Sequence, residues 1–278
     1  MTTPFQLIKY FTLTASIVGL SLFTDVLQSQ ASTGAPELGS KCASLFELYK
    51  FANASARLPI ENYKEPNKRS LLIYKLVIGL DRFSINDQSV VIDLGGGLGV
   101  AMQELAQETG CRAININTQK MASLPENAPP SYEYVQGWAE EILPKYQNQA
   151  THIIDLWGAF SYTILKTELI EKIYDSLQMG GEARIYFNYF MTPTQVIQPD
   201  GKAIDFDRWL ASRFPEIVSI EDANTRMASE GYIMYRTIVI KKKSNSSFRI
   251  PLKMISYIMQ HGKFPSIDYE EISLPIQE

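Results

Sequence analysis

Residues 90–106 read VVIDLGGGLGVAMQELA, and this stretch decides the fold. Its first part, VVIDL, is a short apolar run that stops at a cluster of glycines, as a buried parallel strand does. Its second part carries apolar residues at helical spacing, and Gly110 follows at the position that ends a helix. A strand, a tight glycine turn and a helix in this order predict the first unit of an α/β sheet.

Strand and helix patterns alternate through the residues that follow. The strand patterns are CRAININ, YEYVQ, THIIDLW, EARIYFNYF and YRTIVIKKK, and the helical ones are residues 163–178 and FDRWLASRF. The helix of residues 163–178 is expected to end at Gly180 and Gly181. A sixth strand is either EIVSI or the region near Tyr232. We therefore expect an α/β, Rossmann-like fold with a mostly parallel seven-stranded sheet and helices on both faces.

The chain divides into four parts. Residues 1–40 are an apolar segment with a linker, 41–88 a helical extension, 89–243 the α/β domain, and 244–278 a tail. Residues 10–23 have the layout of a secretory signal, diluted by Thr and Ser. They are too few for a comfortable membrane span, which needs about 20 residues. Export, membrane contact and a helix packed on the domain all stay open for this segment; packing, a lid and an export address stay open for the tail.

Composition excludes several classes of function. The chain has 278 residues and a formal net charge of −4, so no general attraction to nucleic acid is expected. Two cysteines and two histidines make neither a disulfide framework nor a metal site. The remaining composition is that of an ordinary globular protein.

The glycine turn is itself a candidate ligand site. Gly95, Gly97 and Gly99 leave the backbone bare, and the helix that follows presents N–H groups that favour a carboxylate. A dinucleotide-binding turn, G-x-G-x-x-G, is the rival interpretation. Val100 stands where that motif has its third glycine, and an acid such as Asp93 before the first glycine is not part of it.

The run VIDLGGGLG resembles motif I of the class I S-adenosylmethionine (SAM) methyltransferases, hydrophobic-D-x-G-x-G-x-G. The resemblance continues in order over residues 89–243. It implies that SAM is the cofactor of this part of the chain. It also implies that Asp93 organises the glycine loop and faces the methionine amine. Gly95, Gly97 and Gly99 would then line the methionyl and ribose parts of the cofactor.

Two landmarks of that family are altered here. At the expected end of the second strand, where the family has an acid for the ribose hydroxyls, we assign Asn115. An amide can still serve two hydroxyls, with the loss of a charge-assisted hydrogen bond. Near the adenine, Trp138 stands in place of an acid, and the backbone of Ala139 is the other candidate contact.

The end of the fourth strand should border the transfer site, because ligands lie at the carboxyl ends of parallel strands. Asp155 and Trp157 are the candidates there, since an aromatic face attracts a sulfonium cation. Catalytic residues are not assigned by the sequence, and Tyr162 is the only base that we name. The motif of adenine-N6 methyltransferases, D/N-P-P-Y/F/W, is absent from this position, which argues against DNA as the substrate.

The resemblance therefore implies SAM-dependent methyl transfer, which we expect in the cytoplasm. We expect a small-molecule acceptor, because the segments before Ser89 and after Asn188 can roof a pocket. Two alternatives remain. One is a catalytically silent binding protein of methyltransferase fold, which would suit an exported chain. The other is an NAD-dependent oxidoreductase, which rests on the glycine turn alone.

Overall fold

Eleven strands and six α-helices make up the described part of the chain in a computed structural model, which covers residues 69–119, 124, 127–188, 194–222, 235–258 and 266–273. The strands are β1 Val90–Leu94, β2 Arg112–Asn117, β3 Tyr132–Gln136, β4 Ala150–Leu156, β5 Leu177–Asn188, β6 Thr194–Ile197, β7 Ala203–Asp205, β8 Val218–Asp222, β9 Tyr235–Lys241, β10 Leu252–Ile258 and β11 Ser266–Glu271. The helices are α1 Leu71–Val77, α2 Val100–Thr109, α3 Ala139–Ile142, α4 Ala159–Tyr162, α5 Lys166–Ser176 and α6 Phe206–Arg213.

The larger sheet has seven strands in the order β3-β2-β1-β4-β5-β9-β8. All neighbours pair in parallel except β9, which runs antiparallel to both β5 and β8. The predicted mostly parallel seven-stranded sheet is therefore confirmed. From β1 the chain steps one way to β2, and from β4 the other way to β5. Since such crossovers are right-handed, α2 and α5 cover opposite faces.

The strand order reverses between β1 and β4, which leaves a crevice outside their carboxyl ends. The two strands are fully buried at Val91, Ile92, Ile153 and Ile154. Central parallel strands covered on both faces read as continuous apolar runs, which is why VVIDL and THIIDLW show no alternation. Within the crevice, Asp93 is in register with Asn115 of β2 and with Ile154 of β4.

Helix α2 begins and ends at glycines in the left-handed region. Gly99 precedes its first residue with φ 70°, and Gly110 follows its last with φ 73° and donates its N–H to the Ala106 carbonyl. The helix end predicted at Gly110 is confirmed, because this conformation carries little penalty without a Cβ.

Two details of the sequence prediction change. The sixth strand is β8, which begins within EIVSI at Val218 and continues to Asp222. The predicted end of α5 at Gly180 and Gly181 is wrong, because α5 ends at Ser176 and both glycines lie within β5. Leu177, fully buried, pairs with Ala150 of β4, so the sheet takes up the chain before the glycines are reached.

A second sheet, absent from the prediction, has the order β10-β11-β6-β7. It joins the tail to residues 194–205, with β11 parallel to β6 and antiparallel to β10. The described part of the tail packs on the domain: the Tyr269 hydroxyl donates to the Ile164 carbonyl at 2.6 Å, and Trp209 Nε1 donates to Glu271 Oε2 at 3.1 Å. Of the pairings described in the second sheet, only that of β6 with β11 joins segments that are far apart in sequence, and such a pairing leaves no local signal.

The predictions made for residues 1–40 and 41–68 lie outside the described residues. The remainder of the helical extension contains α1 and a short 3-10 turn, Leu80–Arg82. Among the described residues, no helix is long and apolar enough to cross a membrane.

Candidate functional site

The crevice between β1 and β4 is built from two loops that touch through glycines. A Cβ on Gly95 would lie 2.8 Å from the Gly158 Cα, and one on Gly158 would lie 1.6 Å from the Leu94 carbonyl oxygen. Any larger residue at these positions would push the loops apart. The sequences after β1 and β4 are therefore fitted to each other at the point where the strand order reverses.

The three glycines of the turn adopt the left-handed conformation. Gly95, Gly97 and Gly99 have φ values of 82°, 60° and 70°. A Cβ on Gly99 would also lie 2.1 Å from the Tyr132 hydroxyl oxygen. Glycine is thus required here by backbone conformation and by protein packing, in addition to the room for a ligand that the sequence suggested.

Asp93 lies fully buried beneath this turn. Its Oδ2 accepts a hydrogen bond from the Tyr74 hydroxyl at 2.7 Å, while its Oδ1 has no hydrogen-bond partner among the described residues. Burial raises the pKa of Asp93 to about 7; the Tyr74 hydrogen bond and the Arg69 charge oppose the rise, and Asp155 adds to it. A buried carboxylate with one unused oxygen is the kind of group that a ligand completes.

Arg69, which the sequence analysis did not single out, reaches across the mouth of the crevice. Its Nη1 donates to the Leu156 carbonyl and, at 3.4 Å, to the Gly95 carbonyl. Its guanidinium carbon lies 5.7 Å from the centre of the Trp157 ring. No local pattern could have revealed Arg69 or Tyr74, since both precede the sheet in sequence and read as ordinary residues of a helical segment.

Two asparagines of β2 hold the carbonyl of Gly97. Asn115 Nδ2 and Asn117 Nδ2 each donate to it at 3.1 Å. β2 ends at Asn117, as the strand pattern CRAININ predicts, so the placing of the family's strand-end position on Asn115 is wrong. Asn115 is fully buried beneath the turn beside Asp93. The ladder with β1 reaches Ile116 and that with β3 reaches Asn117, so the strand-end position belongs to Asn117.

The residues assigned to the adenine lie beside this strand end. The Gly137 N–H donates to the Asn117 carbonyl at 2.9 Å, which brings the end of β3 next to the end of β2. Trp138 precedes the first residue of α3, Ala139, and both are buried. Their contact with a cofactor stays a prediction.

Asp155 shapes the loop after β4. Its Oδ1 accepts the Gly158 N–H at 2.7 Å and its Oδ2 the Phe160 N–H at 2.8 Å. From the other side of the same segment, buried Lys166 donates to the Phe160 carbonyl at 2.5 Å. Burial raises the pKa of Asp155 to about 7, against these backbone hydrogen bonds, and lowers the pKa of Lys166 to about 7. Both oxygens of Asp155 therefore serve the loop.

That loop carries the two aromatic candidates. Trp157 has φ 52°, which is unusual for a residue with a side chain, and its backbone N–H donates to the Tyr186 carbonyl at 3.0 Å. Its ring packs edge-on to Tyr186, with centroids 5.5 Å apart. Tyr162 ends α4 and is 45% exposed. The structure thus brings the predicted residues of the β1 and β4 ends into one crevice, with Trp138 and Ala139 at the next strand ends.

Comparison with known proteins finds similarity only at the level of structure. No model of a known protein family and no curated protein matches the chain. Among solved structures, a chain in the complex between the Haloferax volcanii Trm112 methyltransferase activator and a methyltransferase is similar, at 14% identity and a TM-score of 0.48, over 68% of this chain and 99% of that one. A SAM-dependent methyltransferase structure from Listeria monocytogenes is similar at 14% identity and a TM-score of 0.45, over 60% of this chain and 97% of that one. Such identities and TM-scores carry no inference about ligand or reaction.

Proposed function

We propose that this chain is a SAM-dependent methyltransferase that binds its cofactor in the crevice between β1 and β4. The observation that carries the proposal is the set of hydrogen-bond acceptors in that crevice. Asp93 Oδ1 is buried without a partner among the described residues, and beside it the carbonyls of Gly95 and Leu156 accept from a cation, the Arg69 guanidinium. Buried acceptors require donors. The amino-acid end of SAM offers an ammonium group, and its sulfonium adds a second positive charge.

The charge of the crevice separates this cofactor from a dinucleotide. Two fully buried acids, Asp93 and Asp155, lie at the ends of adjacent strands. A pyrophosphate next to them would meet like charge, whereas a cation is attracted. With Val100 in place of the third glycine, these acids disfavour NAD.

The remaining contacts follow the strand ends. We assign the ribose hydroxyls to Asn117 rather than to Asn115, because Asn117 ends β2, and the adenine to Trp138 and Ala139. SAM supplies an activated methyl group on sulfur. The work left to the chain is then orientation and exclusion of water. Asp155 and Lys166 would do this by fixing the loop that carries Trp157 and Tyr162.

For the acceptor, we propose a small molecule. The second sheet lies against the segment between α4 and α5 through the Tyr269–Ile164 hydrogen bond, next to the loop that borders the crevice. Tyr162, half exposed at the end of α4, is the candidate base for an oxygen or carbon acceptor. We place the reaction in the cytoplasm, where SAM is made.

A catalytically silent binding protein of this fold is the second candidate. It is favoured by the two amides, Asn115 and Asn117, in a strand whose end carries an acid in the resembled family. Such a protein would bind the nucleoside cofactor without transferring the methyl group. Incubation with methyl-labelled SAM and a small-molecule extract of the native cell separates the two, since only an enzyme forms labelled product.

Calorimetric titration with S-adenosylhomocysteine (SAH) and with NAD tests the proposal. We expect binding of SAH and none of NAD. Gly97→Val should abolish SAH binding, because a branched residue at φ 60° distorts the turn. Gly201→Val is the matched control: Gly201 has φ 81° with no atom within 4 Å of its Cβ position, and lies in the β6–β7 turn. Binding of NAD, or equal loss in both variants, would contradict the proposal.

A further inference from the structure

We propose that Arg69 is an internal occupant of the cation site in the crevice, so that its guanidinium and the ammonium group of the cofactor compete for the same two carbonyls. This inference rests on the proposed function and adds a control of cofactor affinity to it. Arg69 would set how tightly the chain holds SAM and SAH without itself taking part in the transfer.

The first argument is the geometry of the two carbonyls. Leu156 is the last residue of β4, and Gly95 follows the last residue of β1, so their carbonyls lie at the ends of adjacent parallel strands. One nitrogen of Arg69 donates to both. Carbonyl oxygens only accept hydrogen bonds, so the ligand group that suits this pair is a donor.

The second argument is the charge of the surroundings. The guanidinium carbon of Arg69 lies 5.7 Å from the centre of the Trp157 ring, a favourable contact for a cation. Asp93, with its unused Oδ1, attracts the same positive charge. Acceptors, an aromatic face and a carboxylate together make a site for a cation, and Arg69 fills it from within the chain.

The third argument is that Arg69 can leave without unfolding its surroundings. Helix α1 has two anchors besides Arg69: the Leu71 N–H donates to Glu104 Oε2 at 2.6 Å, and the Tyr74 hydroxyl, which also contacts the Arg69 side chain, donates to Asp93 Oδ2. Arg69 precedes both anchors in sequence and has a long side chain. A rotation of that side chain would expose the carbonyls and leave α1 in place.

Competition of this kind lowers apparent affinity. When the binding-competent arrangement is populated a fraction of the time, the measured dissociation constant rises by the inverse of that fraction. If the carbonyls are accessible a tenth of the time, removal of Arg69 tightens binding about tenfold.

The test is calorimetric titration of the full chain and its Arg69→Ala variant with two probes, SAH and 5′-methylthioadenosine. SAH carries the ammonium group, whereas 5′-methylthioadenosine has the same nucleoside and thioether without the amino acid. We expect Arg69→Ala to bind SAH about tenfold more tightly and to bind 5′-methylthioadenosine as the unmodified chain does. Arg69→Lys should lie between, because an ammonium is a point charge and lacks the planar fork.

Arg112→Ala is the matched control, because Arg112 also lies 5.7 Å from an aromatic centre, that of Tyr146, but at the amino end of β2. It should change neither affinity. Weaker SAH binding by Arg69→Ala would overturn the inference, since Arg69 would then hold the ligand itself. Equal tightening for both probes would also overturn it. Failure of the unmodified chain to bind either probe would instead refute the proposed function. Should Arg69→Ala fail to fold, the rank order of Arg69→Lys against the unmodified chain decides the same question.

Discussion

Two buried carboxylates of this domain have opposite surroundings. Both oxygens of Asp207, near the start of α6, lie 3.0 Å from Nη1 of Arg236, and Asp205 shares that nitrogen at 2.9 Å. Asp93, under the glycine turn, has a single tyrosine hydroxyl and an unused oxygen. Burial raises the pKa of both acids; Arg236 opposes this at Asp207, and the Tyr74 hydrogen bond does so at Asp93.

The difference separates a structural network from a ligand site. Arg236 belongs to β9 of the large sheet, whereas Asp205 ends β7 of the small one, so their ion pair joins the two sheets. The loss of one partner from such a matched pair leaves the other charge buried alone and destabilises the fold. A buried carboxylate with an oxygen that lacks a hydrogen-bond partner destabilises the fold. Such groups are found at sites where a ligand supplies the missing hydrogen bond.

The largest expected effect comes from breaking the matched network. Arg236→Met leaves Asp207 buried without its cation and should lower the free energy of unfolding by about 3–5 kcal/mol. Urea denaturation measures this change. Arg208→Met is the control: Arg208 is exposed and 3.9 Å from Asp205, so the change should stay below about 0.5 kcal/mol. Equal effects of the two substitutions on the free energy of unfolding would show that the buried pair of Arg236 and Asp207 is no more important for stability than an exposed one.

A smaller effect should appear as a change in pH dependence at the unmatched acid. The folded pKa of Asp93, about 7, exceeds the ordinary value of 3.8, so the folded state holds its proton more tightly. Asp93 therefore makes its full contribution to the free energy of unfolding below about pH 4, and this contribution is lost as the pH rises to about 7. Asp93→Asn keeps an acceptor for Tyr74 and removes the ionisation.

Relative to the unmodified chain, Asp93→Asn should therefore become more stable as pH rises through this window, by about 1 kcal/mol per pH unit. Urea denaturation at several pH values gives the slope. If the free energy of unfolding changes with pH in the same way in the two proteins, the pKa of Asp93 is not raised in the folded state. SAH binding should be lost in this variant, because the carboxylate that is proposed to bind the ammonium group of the cofactor is removed.

The smallest effect is expected at Asn117. Asn117→Ala removes a bond to the Gly97 carbonyl and the proposed ribose contact, and should weaken SAH binding about fivefold, equivalent to about 1 kcal/mol. Asn86→Ala is the control. Asn86 Oδ1 accepts the Gln88 N–H at 3.0 Å, as Asn117 Oδ1 accepts the Gln119 N–H, but Asn86 does not belong to the proposed site. Unchanged affinity in Asn117→Ala would remove this residue from the site.

Local patterns in the sequence determined the frame of the fold. The apolar runs of β1 and β4, the helix that ends at Gly110 and the strand YEYVQ were all predictable, because burial on both faces, helix capping and strand alternation depend on neighbours along the chain. The glycine turn also located the crevice, since ligands in such sheets lie where the strand order reverses.

Tertiary structure alone decided the rest. β5 begins at Leu177 because β4 pairs with it before the glycines. The reach of Arg69 to Gly95 and Leu156 and the pairing of Arg236 with Asp207 join residues 26 to 87 positions apart. A local window carries no trace of such pairs, because the partner of a buried charge is chosen by position in the folded core.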